Sequence, residues 1–375
     1  MSFPDKLHQK LLLRKESNAL RSLNSQTNLI DFYSNDYLGF AQSEVVFNQA
    51  HQLLVDKNLK MNGATGSRLI SGNHQLYQET EDVIAVFHNS EKALLFNSGY
   101  DANVGFFSSI PQRGDVIVYD ELIHASIRDG IQLSNAKAYK FKHNDLENLN
   151  EILQRIQHDT IYVVTESVFS MDGDSPNLKN LVAVCKQNNA YLIVDEAHAL
   201  GVFGENGAGM VQQLGVEKDV FARIMTYGKG LGCHGAAILG SENLYKYLVN
   251  FSRSFIYTTG LPPHAIATIN VAYQHLNSTT ITVLSERIQH FKSELVRLDL
   301  TAKFIKSDSA IHCCVISGTE KTKETAKQLQ QKGFNIKPIL SPTVPIGQER
   351  LRICLHSFNS NEEITAILEH LTTFV

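Results

Sequence analysis

Six short apolar runs, Lys92–Phe96, Val116–Tyr119, Ile161–Val164, Tyr191–Val194, Arg223–Thr226 and Ala236–Leu239, recur along the middle of the chain with polar helical stretches between most of them. A strand covered on both faces reads as an unbroken apolar run, whereas a strand with one wet face alternates. Such runs in alternation with helical segments, from about residue 44 to 280, predict a mostly parallel α/β sheet covered on both sides. The Pro262-Pro263 step then precedes a long helical pattern. Beyond it the runs Ile311–Ile316, Phe334–Lys337 and Arg350–Leu355 alternate with helices to the end, which predicts a smaller C-terminal α/β domain. With 375 residues and 43% hydrophobic content the chain can bury two such cores. The expected division is an N-terminal arm over 1–43, a large domain over 44–280 and a small domain over 281–375. In the arm, Leu7, Leu11, Leu12, Leu20 and Leu23 have helical spacing, predicting a helix from Lys6 to Leu23 that packs on another element.

Composition narrows the partners. A net charge of −4 with dispersed lysines and arginines offers no footprint for nucleic acid or an anionic membrane. Five cysteines, two of them adjacent at Cys313-Cys314, form neither a disulfide framework nor a CxxC metal site, so buried thiols in a reducing compartment, and no metal, are expected. The N-terminus lacks the basic and apolar regions of a signal peptide, and no apolar run nears the roughly 18 residues of a membrane span. The expected location is the cytoplasm.

The apolar runs end in reactive side chains. Ala190-Tyr-Leu-Ile-Val-Asp195-Glu-Ala-His198 closes on a carboxylate and an imidazole, and the chain's only Gly-Lys step, Gly228-Lys229, follows Ile224-Met-Thr-Tyr. Pyridoxal phosphate requires such a set: a lysine for a Schiff base, a carboxylate to keep the pyridine nitrogen protonated, and donors for the ring hydroxyl and phosphate. Two other readings fail. Asp195-Glu-Ala-His198 spells a helicase box, but the Gly-Lys step is followed by Gly230 rather than Ser or Thr, so no phosphate loop accompanies it. Gly230-Leu-Gly-Cys-His-Gly235 fits the dinucleotide pattern but leads into a strand rather than a helix. Its glycines are instead expected to turn the backbone tightly and close to a bulky ligand.

Open α/β sheets bind ligands at the carboxyl ends of their strands. Three further segments collect there: Asn97-Ser-Gly-Tyr100, which opens a helix able to receive a phosphate; His124, with a flat ring able to stack on a cofactor; and Thr165-Glu-Ser-Val-Phe-Ser-Met-Asp-Gly173, with hydroxyls and a carboxylate.

Together with Ser34-Asn-Asp-Tyr-Leu-Gly39, Thr226-Tyr-Gly-Lys229 and Pro342-Thr-Val-Pro345, these motifs resemble the fold type I pyridoxal-phosphate enzymes, and within them the α-oxoamine synthases, over almost the whole chain. The resemblance implies a large domain with a mostly parallel seven-stranded sheet plus a small C-terminal domain, and a homodimer with shared active sites. It implies that Lys229 carries the cofactor as a Schiff base, Asp195 pairs with the pyridine nitrogen, His198 bonds the ring hydroxyl and His124 stacks on the ring. Gly99, Tyr100, Ser170 and Thr226 would hold the phosphate, and Thr259 would reach the cofactor of the neighbouring subunit. Arg352 would grip the amino-acid carboxylate, with Arg21, Asn35 and Thr343 completing the substrate pocket. The implied reaction is a decarboxylative condensation of an amino acid with an acyl thioester. The compact length, the arm ending at Arg21, Ile256-Tyr-Thr-Thr and Pro342-Thr-Val-Pro-Ile-Gly are most similar to members that join L-alanine to a pimeloyl thioester in biotin biosynthesis. Cys233-His234 departs from those members, and Asn62-Gly-Ala-Thr-Gly-Ser-Arg68 matches the glycine-using ones equally. Glycine C-acetyltransferase and serine palmitoyltransferase chemistry therefore remain alternatives.

Overall fold

A two-residue strand, β1 (Ile30–Asp31), precedes the seven strands of the central sheet: β2 (Lys92–Phe96), β3 (Val116–Asp120), β4 (Lys137–Phe141), β5 (Ile161–Glu166), β6 (Tyr191–Asp195), β7 (Ala222–Thr226) and β8 (Ala236–Gly240). The computed structural model describes residues 3–21, 23, 28–156 and 160–375. The sheet order is β2-β8-β7-β6-β5-β3-β4. Strands β3 to β7 pair in parallel, whereas β8 runs antiparallel to both β2 and β7. The reason is the length of the β7–β8 connection: Tyr227–Gly235 is shorter than the roughly dozen residues a crossover needs, so the chain must turn straight back. That short turn carries Lys229.

Each face of the sheet has its own core. Leu94, Ile117, Val164, Ile193, Ile224 and Ile238 pack against Phe106 and Phe107 of the helix Gly99–Ser109 and Ile127 of the helix Ala125–Leu133. Their strand neighbours Leu95, Val116, Val118, Val163, Val194, Met225 and Leu239 face the opposite core. Burial on both sides explains the unbroken apolar runs. Strand β4 has no such run, because it is an edge whose Lys137, Ala138, Tyr139 and Lys140 are exposed and only Phe141 is buried. Lysines on an open edge oppose pairing with another chain.

The small domain holds β9 (Ile311–Val315), β10 (Phe334–Asn335), β11 (Lys337–Ile339) and β12 (Arg350–Cys354). Three of them form an antiparallel sheet in the order β11-β12-β9, while β10 pairs in parallel with β1. The N-terminal segment is thereby tied to the small domain: Cys354 N–H also donates to Phe32 O (2.9 Å) and Ser357 N–H to Tyr37 O (2.8 Å). The segment then delivers Asn35 and Tyr37 to the larger sheet's carboxyl edge.

The arm helix is shorter than its leucine spacing predicts. It spans Asp5–Glu16 and ends where Asn18 takes a left-handed φ of 50° and Ala19 N–H bonds back to Arg14 O (2.8 Å). Such reversed bonds close a helix by occupying its last carbonyls. Leu20 and Leu23 therefore lie beyond it, and none of the helix's residues is buried. Asn18 ties the arm to the small domain: its side-chain amide donates to Glu320 (3.1 Å) and its carbonyl accepts from Lys323. All five cysteines are free thiols, four of them buried. Among the described residues no helix is long and apolar enough to cross a membrane.

Candidate active site

The carboxyl ends of β3, β5, β6 and β7 converge. Asp195 ends β6 and is buried; its Oδ1 accepts from the Ala197 N–H (2.9 Å) and its Oδ2 from the Asn103 amide (3.0 Å). Asn103 also donates to Ser126 Oγ (3.0 Å), which meets His124 Nδ1 at 2.7 Å. The carboxylate and the exposed imidazole are thus held by one network. Asn103 and Ser126 are buried members that sequence reading missed, since a polar residue inside a helical pattern gives no sign of which strand end it faces.

Lys229 sits in the turn after β7, its Nζ 2.7 Å from His198 Nε2. His198 Nδ1 lies 2.7 Å from Tyr37 Oη, Tyr37 donates to Asn35 Oδ1 (3.3 Å), and the same oxygen accepts from Arg352 Nη2 (2.8 Å). One chain of contacts therefore joins four predicted residues from four parts of the sequence, through a tyrosine to which no role had been given. Desolvation lowers the Lys229 amine to about 8, aided by the Arg352 charge and opposed by Asp195 and Glu166. Burial, with the Lys229 and Arg352 cations nearby, keeps His198 well below the ordinary imidazole range, so it is neutral. Glu166 pairs in register with Asp195 at the end of β5 and receives the His124 N–H (2.6 Å). Burial and repulsion from Asp195 hold its carboxyl far above the usual range. A buried carboxyl and a buried amine whose acidities are shifted and whose charges act on each other are the marks of a reactive site.

The turn after β2 behaves as its sequence suggests. Ser98 caps the helix Gly99–Ser109 by accepting the Asp101 N–H (3.0 Å), and the first helical residue is Gly99. A Cβ at Gly99 would stand 2.4 Å from Thr226 Oγ1, so a glycine is needed where the helix start meets the end of β7. A helix N-terminus facing a hydroxyl is suited to a phosphate. Tyr100 is exposed, and its hydroxyl donates to Asp129 (2.7 Å). Thr259 is also exposed; its carbonyl accepts from the Asn97 amide of the same chain (2.7 Å), which draws the 258–260 segment against this turn. The glycines after Lys229 turn the backbone tightly against neighbouring chain. A Cβ on Gly230 would lie 2.4 Å from Leu200 O, and one on Gly232 2.1 Å from Ala41 N. What they admit closely is the protein's own backbone.

On the small-domain side, Arg352 is buried in the central strand β12. Its Nε donates to Ser170 O (2.7 Å) and its Nη1 to Cys354 Sγ (2.9 Å), which with the Asn35 bond leaves one N–H on each terminal nitrogen. Ser170 lies half-buried in the loop after β5, and Arg350 clamps the same loop through the Asp172 carboxylate and Met171 O (3.3 Å). Nearby, His143 bridges Asp120 and Asp174 (2.9 Å each); burial disfavours its charge, but the two carboxylates outweigh that and push it up to about 9. Arg21 and Thr343 line a separate hollow of about 270 Å³ between the arm and the segment Pro338–Thr343, together with Arg14 and Lys323. The two residues share this basic hollow, whose lining includes neither Asn35 nor Arg352.

A buried carboxylate at a strand end, an amine of lowered basicity on a tight turn, a neutral imidazole beside it and a glycine-opened helix fit pyridoxal phosphate. Sheet and site together define a fold type I enzyme of that cofactor. The model of the aminotransferase class I and II family matches residues 27–371, and the chain belongs to that family, as a pyridoxal-phosphate-dependent acyltransferase of the α-oxoamine synthase group. It is 39% identical over 393 residues to the 8-amino-7-oxononanoate synthase of Emericella nidulans, covering 99% of this chain and 95% of that one. Among solved structures, the 8-amino-7-oxononanoate synthase of Francisella tularensis superposes with a TM-score of 0.78 at 29% identity, covering 92% and 97% of the two chains. A variant serine palmitoyltransferase of S. paucimobilis with a bound PLP–myriocin aldimine gives a TM-score of 0.89 at 25% identity, covering 98% and 96%.

Proposed function

We propose that the chain condenses L-alanine with a pimeloyl thioester, carried on coenzyme A or an acyl carrier protein, to give 8-amino-7-oxononanoate, carbon dioxide and free thiol in biotin biosynthesis. It would act in the cytoplasm as a homodimer whose sites are shared. The observation that carries the reading is the chain of contacts between Lys229 and Arg352, which puts an amine and a carboxylate clamp in one cluster. An amino-acid substrate needs both.

The cofactor, when bound, supplies an electron sink for the bond broken at the amino-acid α carbon. The rest falls to side chains. Lys229 anchors the cofactor and, once displaced, takes the α proton on Nζ and returns it, which an amine near 8 does efficiently around neutral pH. Asp195, fixed by Ala197 and Asn103, keeps the ring nitrogen protonated. His198 offers Nε2 on the lysine side, and His124 covers the ring. Gly99 and Thr226, with Tyr100 and Ser170, hold the phosphate. The remaining N–H groups of Arg352 receive the substrate carboxylate as a planar fork, which an ammonium could not do. Asn35 steadies that fork. Arg21 and Thr343 flank the acyl donor's approach, and Thr259 serves the adjoining subunit.

Likeness to serine palmitoyltransferases favours a second reading in which serine with palmitoyl-CoA replaces the alanine pair, and the segment Asn62–Arg68 favours glycine with acetyl-CoA. Purified protein with pyridoxal phosphate is offered each pair and the product identified by mass spectrometry. Amino-oxononanoate from alanine and pimeloyl-CoA is expected. Product only from another pair overturns the substrate assignment, and no borohydride-trapped cofactor on Lys229 overturns the site.

A further inference from the structure

Tyr37 puts a buried hydroxyl between the lysine and the arginine, and the direction of its hydrogen bonds is dictated from both ends. A guanidinium only donates, so Arg352 Nη2 makes Asn35 Oδ1 an acceptor. An ammonium also only donates, so Lys229 requires a lone pair on His198 Nε2. His198 is 3% exposed, stands between these two cations and has no carboxylate against its ring nitrogens, so it is neutral and carries its single proton on Nδ1. That N–H must then donate to Tyr37 Oη at 2.7 Å, and Tyr37, fully buried, must send its own proton to Asn35 Oδ1 at 3.3 Å. Every donor then has an acceptor with one arrangement of protons. While Lys229 is charged, reversing any link would face two donors across a buried contact, which costs the desolvation of an unpaired polar group.

We propose that Tyr37 is a positioning residue: its hydroxyl, aimed by Asn35 under Arg352, fixes His198 as the Nδ1–H tautomer and so keeps Nε2 an acceptor towards Lys229. The substrate-carboxylate side of the site thereby sets how readily the lysine amine gives up its proton. The tautomer of an imidazole follows from the bond its other nitrogen makes. This rests on Lys229 being the cofactor lysine, but it can be tested without cofactor.

In Tyr37→Phe the ring stays and the acceptor goes; the His198 proton moves to Nε2, turns a donor towards Lys229 and disfavours the ammonium. In Asn35→Ala the tyrosine proton loses its acceptor and swings to His198 Nδ1, forcing the same change from two residues away. The apoprotein is trace-labelled with acetic anhydride from pH 6 to 10, and acetylation of the Lys229 peptide is followed by mass spectrometry. The other groups acting on Lys229 and His198 are Asp195, Glu166, His124 and Arg352; the first three keep their partners in both variants, whereas Arg352 loses its Asn35 acceptor in Asn35→Ala, so the two variants must agree in direction. The midpoint should fall by about one pH unit, a tenfold larger acid dissociation constant, in Tyr37→Phe, and in the same direction in Asn35→Ala. An unchanged or raised midpoint in either variant with a native thermal melt overturns the proposal. Should Tyr37→Phe not fold, Asn35→Ala alone decides. Failure of the functional reading shows separately, as wild-type protein in which borohydride traps no cofactor on Lys229.

Discussion

Glu81 supports the site from behind, and its removal has a calculable cost. Its carboxylate receives both terminal nitrogens of Arg68, Nη2 at 3.1 Å, and also the N–H of Leu95 in β2 (2.8 Å). The two side chains are only 9% and 6% exposed. Arg68 in turn lies 3.8 Å over the Tyr77 ring and bonds Asn73, while Gly66 O, two residues away, accepts the Gly260 N–H (2.9 Å) beside Thr259. In Glu81→Ala the guanidinium stays buried without a counter-charge, which costs about 3–5 kcal/mol, and the Leu95 N–H is orphaned for about 1 more. Stacking on Tyr77 and the Asn73 bond offset part of this, so we expect a loss of about 4 kcal/mol. The pair itself contributes little: burial holds the Glu81 carboxyl above its usual range even with Arg68 beside it, so desolvation outweighs the attraction. The double variant Arg68→Met/Glu81→Leu should therefore lie within about 2 kcal/mol of wild type, the remainder being the unpaired Leu95 N–H. Urea midpoints at unchanged slope give the comparison. A single variant costing under about 1 kcal/mol, or a double variant as unstable as the single, would refute the reasoning.

Three further outcomes are expected. Lys229→Ala should lose the borohydride-trapped cofactor and all turnover while keeping a native circular dichroism spectrum; retained turnover contradicts the assignment of Lys229. Gly99→Ala puts a methyl 2.4 Å from Thr226 Oγ1, so cofactor affinity, read by titrating the apoprotein with pyridoxal phosphate, should fall at least tenfold while the melting temperature moves little. An unchanged affinity would show that the helix start does not meet the phosphate. His143 is raised from 6.5 to about 9, so its stabilisation is complete below pH 6.5 and is lost as pH climbs through 9. At neutral pH His143→Gln should cost about 3 kcal/mol or less, and its gap from wild type should close by pH 10; a gap independent of pH would exclude a protonated His143.

Much of the molecule could be read from residue order. The apolar runs disclosed six of the seven sheet strands because burial on both faces leaves no choice of polar residue, and β4 escaped because four of its five residues are exposed, unlike those of β2 at the other edge. The leucines of the arm overstated its helix, since spacing marks a face but Asn18 and its reversed hydrogen bonds decide where the helix stops. At the site, Lys229, Asp195, His198 and Gly99 stood out because each closes or closely follows a strand or opens a helix, where an α/β sheet puts its ligands.

The order of residues determined, by itself, the layered α/β class, the reactive strand ends and the chemistry those side chains can perform, because periodicity and residue type are local properties. Only tertiary structure decided which distant groups touch. Tyr37 reaches His198 across 161 positions and Arg352 reaches Asn35 across 317, while Asn103 steadies Asp195 from a helix. It also separated Arg21 and Thr343 into a hollow of their own. Those contacts turn a list of polar residues into a neutral imidazole and an amine near 8, since acidity follows from burial and neighbouring charge, which arise only when the chain closes on itself.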